Sequence, residues 1–227
     1  MSVGTAGNSD SRHGLFAWSR DINADQWKAF YAAFLGWTLD AMDLLLFAFA
    51  VGSIGKVFNL SETWVGALFS VTLFSSAFGG ALFGIVSDYI GRVRALTYTI
   101  LLYSAFTGLS AFAPNIGFLL VCRLILGLGM GGEWAAGMPL VLEHWPKRLR
   151  GFVSGLMLGG WYWGYLLAAA VFQFVYPVFS DTPDLAWRTM FWVCIVPALL
   201  TFWIRTGVPE SPVWLARQKR LRESGGL

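Results

Sequence analysis

The chain has 227 residues and a mass of 25.0 kDa; 56% of its residues are hydrophobic, 13% are charged, and the mean hydropathy is +0.60. A soluble domain carries roughly 25% charged residues, so this composition excludes a water-soluble enzyme, a disordered chain and a nucleic-acid-binding protein. The net charge is only +3 despite a pI near 9.0.

The first 26 residues are polar and include Asp10, Arg12, Arg20, Asp21 and Asp25. They lack the short apolar core of a cleavable signal and read as a cytoplasmic tail. Six apolar stretches follow, at about 27–53, 63–87, 95–113, 116–141, 151–176 and 185–204. A helix needs roughly 20 such residues to cross the hydrocarbon core. A membrane β-barrel would show short alternating segments instead. The organisation expected is therefore a tail (1–26), a six-helix bundle (27–206) and a basic segment (207–227). Span three ends at the turn Ala113-Pro114-Asn115, and span five stops before Pro177.

Basic residues orient the bundle. With the N-terminus inside, the inner segments hold 13 of the 16 Lys and Arg residues, and the outer loops hold only Lys56 and Arg188. The sixteenth, Arg123, is within a span. Basic groups on the inner face meet anionic lipid, which accounts for the pI and places both termini in the cytoplasm and the chain in the inner membrane. Trp27, Trp64, Trp145 and Trp214 fall near span ends, where amphipathic rings prefer to sit. Trp161 and Trp163 lie deeper in span five and read as packing residues. Cys122 and Cys194 lie in apolar runs and read as small buried hydrophobes. His13 and His144 are far apart, and no His/Cys cluster has metal-ligand spacing. No metal, cofactor or nucleophile–base set is expected, and so no enzyme.

A charge at the bilayer centre costs roughly 2.5–3.5 kcal/mol on insertion scales, which makes each one a functional candidate. There are four: Asp40, Asp43, Arg123 and Glu133. Asp40 and Asp43 are three residues apart, about 60° around one helix face. Two carboxylates that close disfavour double ionisation, and burial adds to this. The pair suits binding and releasing a proton, and one member could equally be locked in an ion pair. Arg123 offers a planar fork of donors that matches a carboxylate. It could hold a substrate carboxylate or pair with a span-one Asp. Glu133 lies about 15 Å further inward along the same helix, as a second proton site, an inner-gate residue or a packing group. Gln173 in span five is a weaker candidate for hydrogen bonding a ligand. Glycines cluster in spans two, four and five (Gly79, Gly80 and Gly84; Gly127, Gly129, Gly131 and Gly132; Gly155, Gly159, Gly160 and Gly164), as suits helices that approach closely in lipid.

The inner loop Gly84-Ile-Val-Ser-Asp88-Tyr-Ile-Gly91-Arg92-Val-Arg94 resembles the loop signature of the major facilitator superfamily between spans two and three. Gly84, Asp88, Gly91 and Arg92 match in type. Arg94 lies one place on, and Tyr89 stands where the family usually has a basic residue. Two further stretches agree with that family. Arg123-Leu-Ile-Leu-Gly127-Leu-Gly129 resembles its span-four pattern, and Pro209-Glu210-Ser211-Pro212-Val213-Trp214-Leu215 resembles the element after span six of sugar-porter-like members, with Val213 in place of the usual Arg. Leu35-Gly36-Trp37-Thr38-Leu39-Asp40-Ala41-Met42-Asp43, the Gly-Gly-Glu-Trp of span four and Leu142-Glu143-His144-Trp145-Pro146 are most similar to the sialate:proton symporter family, which includes sialic-acid and lactate/pyruvate permeases.

The resemblance implies an all-α integral membrane fold, the N-terminal half of a transporter built as a 3+3 inverted repeat with its substrate site between halves. It implies a gate at Gly84, Asp88, Gly91, Arg92 and Arg94, and a partner in a second six-helix half, either a missing C-terminal half or another chain. The function expected is proton-coupled symport of a small organic anion, with Asp40, Asp43 and Glu133 on the proton and Arg123 and Gln173 on the substrate. Span five lacks the Gly-Pro signature of the superfamily's antiporters, which favours symport. A facilitator of neutral sugars or polyols and a non-transporting sensor or assembly half are the alternatives.

Overall fold

The structure, a computed structural model, describes residues 22–225, with the side chains of 196–198, 201, 202 and 205 excepted. Arg12, His13 and Arg20 of the tail lie outside the described residues, as does the side chain of Arg205. The described residues are helical, with no strand: α1 (Ala24–Val57), α2 (Glu62–Ile90), α3 (Arg92–Ser110), α4 (Ile116–His144), α5 (Arg150–Phe174), α6 (Pro183–Val193), α7 (Val196–Gly207) and α8 (Pro212–Glu223).

Local chemistry sets the helix ends. Asn23 and Gln26 form a reciprocal capping box at the start of α1, with Asn23 N–H donating to Gln26 Oε1 at 2.7 Å and Gln26 N–H donating to Asn23 Oδ1 at 2.9 Å. Asn115 caps α4 through the Phe118 N–H. Between α2 and α3 the chain turns on Gly91 alone, at φ +104°, a conformation that disfavours any side chain. Arg188 closes the other end of α3: it donates to the carbonyls of Ala111 (2.7 Å) and Ala113 (3.1 Å) while pairing with Asp184.

The six expected spans are present, with two differences. The sixth is not one helix but two, α6 and α7, meeting at Cys194 and Ile195. Pro197 has no N–H to give the carbonyl of Val193, and the chain tightens before it, with Cys194 N–H bonding Phe191 O and Ile195 N–H bonding Trp192 O. The third span is more polar than the others. By length and composition alone, helices qualify as membrane spans at Ala24–Val57, Glu62–Ile90, Ile116–His144 and Lys147–Phe179, and α3 does not. Its hydroxyls face inward: Thr97, Thr99, Ser104, Thr107 and Ser110 are all buried.

Burial divides the long helices into two classes. Inside the bundle lie 56% of the α1 span and 50% of the α4 span, against 17% for α2 and 11% for α5. α4 packs chiefly on α2 and α3, while α1 packs most on α5, then on α4, and then on α6. Exchanging α1 with α4, α2 with α5 and α3 with the broken sixth span turns one set of contacts into the other, which is the 3+3 repeat in packing terms. Small residues permit both close contacts. A Cβ at Gly79, Gly127 or Gly131 would overlap backbone across the α2–α4 contact, and one at Gly164 would lie 2.5 Å from the Thr38 carbonyl across α1–α5. The outer faces of α2 and α5 expose Phe74, Phe78, Ile85, Tyr162, Trp163 and Leu166, an apolar surface too extensive for water.

Candidate functional site

The four charges within spans converge in the middle of the bundle. Arg123 is fully buried and Asp43 is 1% exposed; Arg123 Nη1 donates to Asp43 Oδ2 at 3.5 Å. The guanidinium lies between two rings, with Cζ 3.9 Å from the Phe47 centroid and 4.6 Å from that of Phe191. The weakly hydrated, planar guanidinium is the cation best suited to such a slot. Thr107 of α3 and Cys194 at the α6–α7 break stand beside the same carboxylate, so the break in the sixth span lines this site. One inner edge of the guanidinium is unspent: Nε and Nη2 have no hydrogen-bond partner.

Asp40 is near enough to Asp43 and to Glu133 of α4 for the carboxylates to act on one another, and the ion pair of Arg123 is with Asp43. Gly36, one turn before Asp40, makes room for that glutamate, because a Cβ there would come 2.5 Å from Glu133 Oε1. Tyr103 of α3 is buried among Asp40, Asp43 and Glu133 with its hydroxyl unpartnered. α3 comes this close because Gly129 of α4 faces its backbone, where a Cβ would lie 2.9 Å from Tyr103 N. Asp40 Oδ1, Asp43 Oδ1 and Glu133 Oε2 are likewise buried without partners. Among the described residues, the interior thus holds three carboxylates to one guanidinium.

A cavity of about 350 Å³ adjoins this cluster between α1, α2, α4 and α5, and Asp40 is on its wall. Trp37, Trp134 and Trp161 line it together, with Trp37 centroids 4.4 Å from Trp134 and 4.9 Å from Trp161.

At the end of the bundle marked by the α2–α3 turn, a second polar network ties four elements together. Arg92 Nη2 lies 2.6 Å from Asp88 and 3.3 Å from Glu143 at the end of α4, and Nη1 donates to Ser87 Oγ. Glu143 also accepts from Ser211 Oγ, just before α8. Glu210 accepts from the N–H groups of Arg92 (2.8 Å) and Val93 (3.1 Å), capping α3 from a segment well over a hundred residues away. Trp214 Nε1 donates to the Asp88 carbonyl at 2.9 Å. Gly91 is required twice here, by its φ and because a side chain would strike the Glu210 carboxylate.

This combination matches known proteins over almost the whole chain: residues 17–225 match the family described as sugar (and other) transporter. The chain belongs to that family. Relatives similar to this transporter chain include a putative metabolite transport protein of Haemophilus influenzae (38% identical over 88% of this chain and 48% of the relative) and the sialic acid transporter NanX of Escherichia coli (33% identical over 88% and 48%). A probable 4-methylmuconolactone transporter of Cupriavidus pinatubonensis is 37% identical over 91% of this chain and 48% of its own length. Among solved structures, the major facilitator superfamily proton:xylose symporter XylE superposes with a TM-score of 0.79 at 25% identity, over 89% of this chain and 49% of that one. The chain spans about half the length of the relatives it matches, and its fold is the N-terminal half of a major facilitator transporter.

Within that fold, the structure brings together Asp40, Asp43, Arg123 and Glu133, and separately Asp88, Gly91 and Arg92. Gln173 joins neither group; it is exposed on the last turn of α5. Arg94 is exposed beside a surface groove that it shares with Glu210. Gly84 lies opposite Ala135 of α4. Sequence reasoning missed Trp37 and Trp134, which meet Trp161 at the cavity, and Tyr103, Thr107, Phe47 and Phe191, which surround the charges. Trp37 carried a readable signal, since it lies three residues before Asp40 and so on the same face. Phe47 carried the same kind of signal, four residues after Asp43 on the same helix, whereas Tyr103, Thr107, Trp134 and Phe191 come from other helices and carried none.

Proposed function

We propose that the complete transporter to which this chain contributes carries a small organic anion together with protons across the inner membrane, with N- and C-terminal ends of this half inside. Asp40, Asp43 and Glu133 are the proton-binding groups. One observation carries the reading: among the described residues, three carboxylates share the buried interior with a single guanidinium. Ions removed from water cost several kcal/mol each unless paired, and the negative charge left over at that depth is balanced by protons. Asp40 and Glu133 then take and release them through the adjoining cavity. Arg123 acts as the partner of Asp43 rather than as the direct anion site, because Phe47 and Phe191 cap the guanidinium and it is not on the cavity wall. A proton on Asp43 loosens that pair and frees α1 to shift against α4. Gln173 has no part in this scheme.

The Asp88–Arg92–Glu143 network and the Glu210 cap are the inner gate. They hold α2, α3, α4 and α8 together while the site faces outward, and they part when it faces inward. The second six-helix half supplies the opposing wall. Relatives named for sialic acid and for 4-methylmuconolactone support an acid-like cargo, and the likeness to a proton:xylose symporter supports the coupling ion.

The test is uptake by the complete transporter in proteoliposomes, with labelled sialic acid and lactate, under an imposed proton gradient. Gradient-driven accumulation is expected, and Asp40→Asn or Asp43→Asn abolishes it while leaving downhill exchange measurable. Uptake indifferent to an uncoupler would overturn the reading and favour a facilitator of neutral solutes.

A further inference from the structure

Tyr103 of α3 is fully buried, and its hydroxyl has no hydrogen-bond partner. Leaving a buried hydroxyl unpaired costs free energy that a phenylalanine of the same shape would not. Packing among Ile100, Leu126 and Met130 therefore explains the ring but not the oxygen. The level of Tyr103 in the bundle supplies a reason for the oxygen. A Cβ on Gly36 would lie 2.5 Å from Glu133 Oε1 and 3.5 Å from Ile100 Cδ1, which sets Gly36, Ile100 and Glu133 at one level. Thr107 stands beside Asp43. Ile100, Tyr103 and Thr107 share one face of α3, so Tyr103 is a turn beyond the Glu133 level and a turn short of the Asp43 level. α4 agrees: a Cβ on Gly129, one turn before Glu133, would lie 2.9 Å from Tyr103 N and 3.0 Å from Tyr103 Cβ. Asp40, Glu133 and Asp43 are all close enough to act on the phenol.

Resting on the symport reading, we propose that Tyr103 is the proton relay between Asp40 and Glu133 on one side and the Asp43–Arg123 pair on the other. Asp40 is on the cavity wall and Asp43 is not, so a proton that arrives through the cavity reaches Asp43 from within the bundle. A phenol hydroxyl both donates and accepts. It accepts from a protonated carboxyl of Asp40 or Glu133 while its own proton passes to Asp43. One O–H bond breaks and one forms on the phenol oxygen, which is neutral before and after. Rotation about the Cζ–O bond resets it for the next cycle. Asp43, once protonated, releases Arg123. Asp40 Oδ1, Asp43 Oδ1 and Glu133 Oε2 are each without a hydrogen-bond partner, as sites that exchange a proton must be. The titratable groups around the phenol are Asp40 and Asp43 of α1, Glu133 of α4 and Cys194 at the α6–α7 break, with Arg123 of α4 paired to Asp43. Those of α2 and α7, namely Glu62, Asp88, Tyr89 and Arg205, lie toward the helix ends.

The experiment compares Tyr103→Phe with the parent in the complete transporter, reconstituted in proteoliposomes with labelled lactate and sialic acid. Thermal melting, anion exchange at equal pH on both sides, and uptake driven by a proton gradient are measured, with proton entry followed by a trapped pH dye. The variant loses only an unpartnered oxygen, so it is expected to melt at or above the parent temperature and to keep its exchange activity. Gradient-driven uptake and proton entry are expected to fall together by about a hundredfold, the low end of what a positioned proton-transferring side chain supplies. The pH–rate profile is expected to move to lower pH, because more protons are needed to charge Asp43 at the same rate. Driven uptake like the parent's, with an unmoved pH–rate profile, overturns the relay. So does an equal loss of exchange and driven uptake at an unmoved profile, or loss of cooperative melting, since each assigns the hydroxyl to structure alone. These results leave the symport reading standing. If the parent itself takes up both acids without regard to the gradient, the symport reading fails and the relay with it.

Discussion

Asp43 and Arg123, 80 positions apart in the chain, form an ion pair at 3.5 Å in which both side chains are within 1% of complete burial. The contact is long and single, and it leaves Arg123 Nε, Arg123 Nη2 and Asp43 Oδ1 unpartnered. A pair tuned for stability alone would use the planar fork fully. Here the guanidinium is flanked by the Phe47 and Phe191 rings and keeps two nitrogens without a hydrogen-bond partner.

Removing one member of a buried pair costs roughly 3–5 kcal/mol, because the other charge is stranded, while replacing both is often neutral. Asp43→Asn and Arg123→Met should each lower the thermal stability of the purified transporter markedly, and the double variant should regain most of the loss. A double-mutant cycle by thermal melting measures it. Strictly additive losses would show that the two residues do not act on each other.

Gly36 tests the placement of Glu133 without removing a charge. A Cβ at this position meets only the far end of the glutamate side chain, at 2.5 Å from Oε1, and otherwise Ile100 at ordinary contact distance. Gly36→Ala should therefore fold and reach the membrane at normal levels, yet shift the pH dependence of uptake by moving Glu133 relative to Asp40. An unchanged pH–rate profile would separate Glu133 from proton coupling.

The helix-packing glycines divide sharply. Gly131 faces the Ser76 carbonyl of α2 so closely that no side chain fits, while Gly155 and Gly159 of α5 have nothing within 4 Å. Gly131→Val should abolish assembly of α4 on α2, seen as loss of folded protein on size-exclusion chromatography. Gly155→Ala and Gly159→Ala should behave as the parent unless the second half of the transporter packs on that face, and the size of any loss reports that contact.

Glu210 substitutes for a local cap on α3, whose N-cap residue Gly91 has no side chain to offer. Glu210→Ala should cost about 1 kcal/mol, as loss of a helix cap does, and speed hydrogen exchange at the Arg92 and Val93 amides. Glu210→Gln keeps an acceptor and should fall between. If gating depends on this joint, Glu210→Ala also raises labelling of a cysteine introduced at the inner mouth in the absence of substrate.

The sequence by itself determined the membrane fold, five of the six spans as single helices, and which four charges lie within the spans. These are local or additive properties: hydropathy over about 20 residues reports transfer into lipid, and a charge in such a run is conspicuous whatever surrounds it. The inner-loop motif was legible for the same reason, since Gly84 through Arg94 is contiguous. Only the tertiary structure decided how those pieces pair. Asp40 and Asp43 look equivalent three residues apart, yet the packing of α1 on α4 pairs Asp43 with Arg123 and leaves Asp40 on the wall of the cavity. The break at Cys194 places α6 and its Phe191 on the arginine. Trp37, Trp134 and Trp161 become one wall only because Gly127 and Gly131 draw α4 onto α2 and Gly160 and Gly164 draw α5 onto α1. Contacts between distant helices depend on which faces meet at what depth, and no window along the chain contains that information.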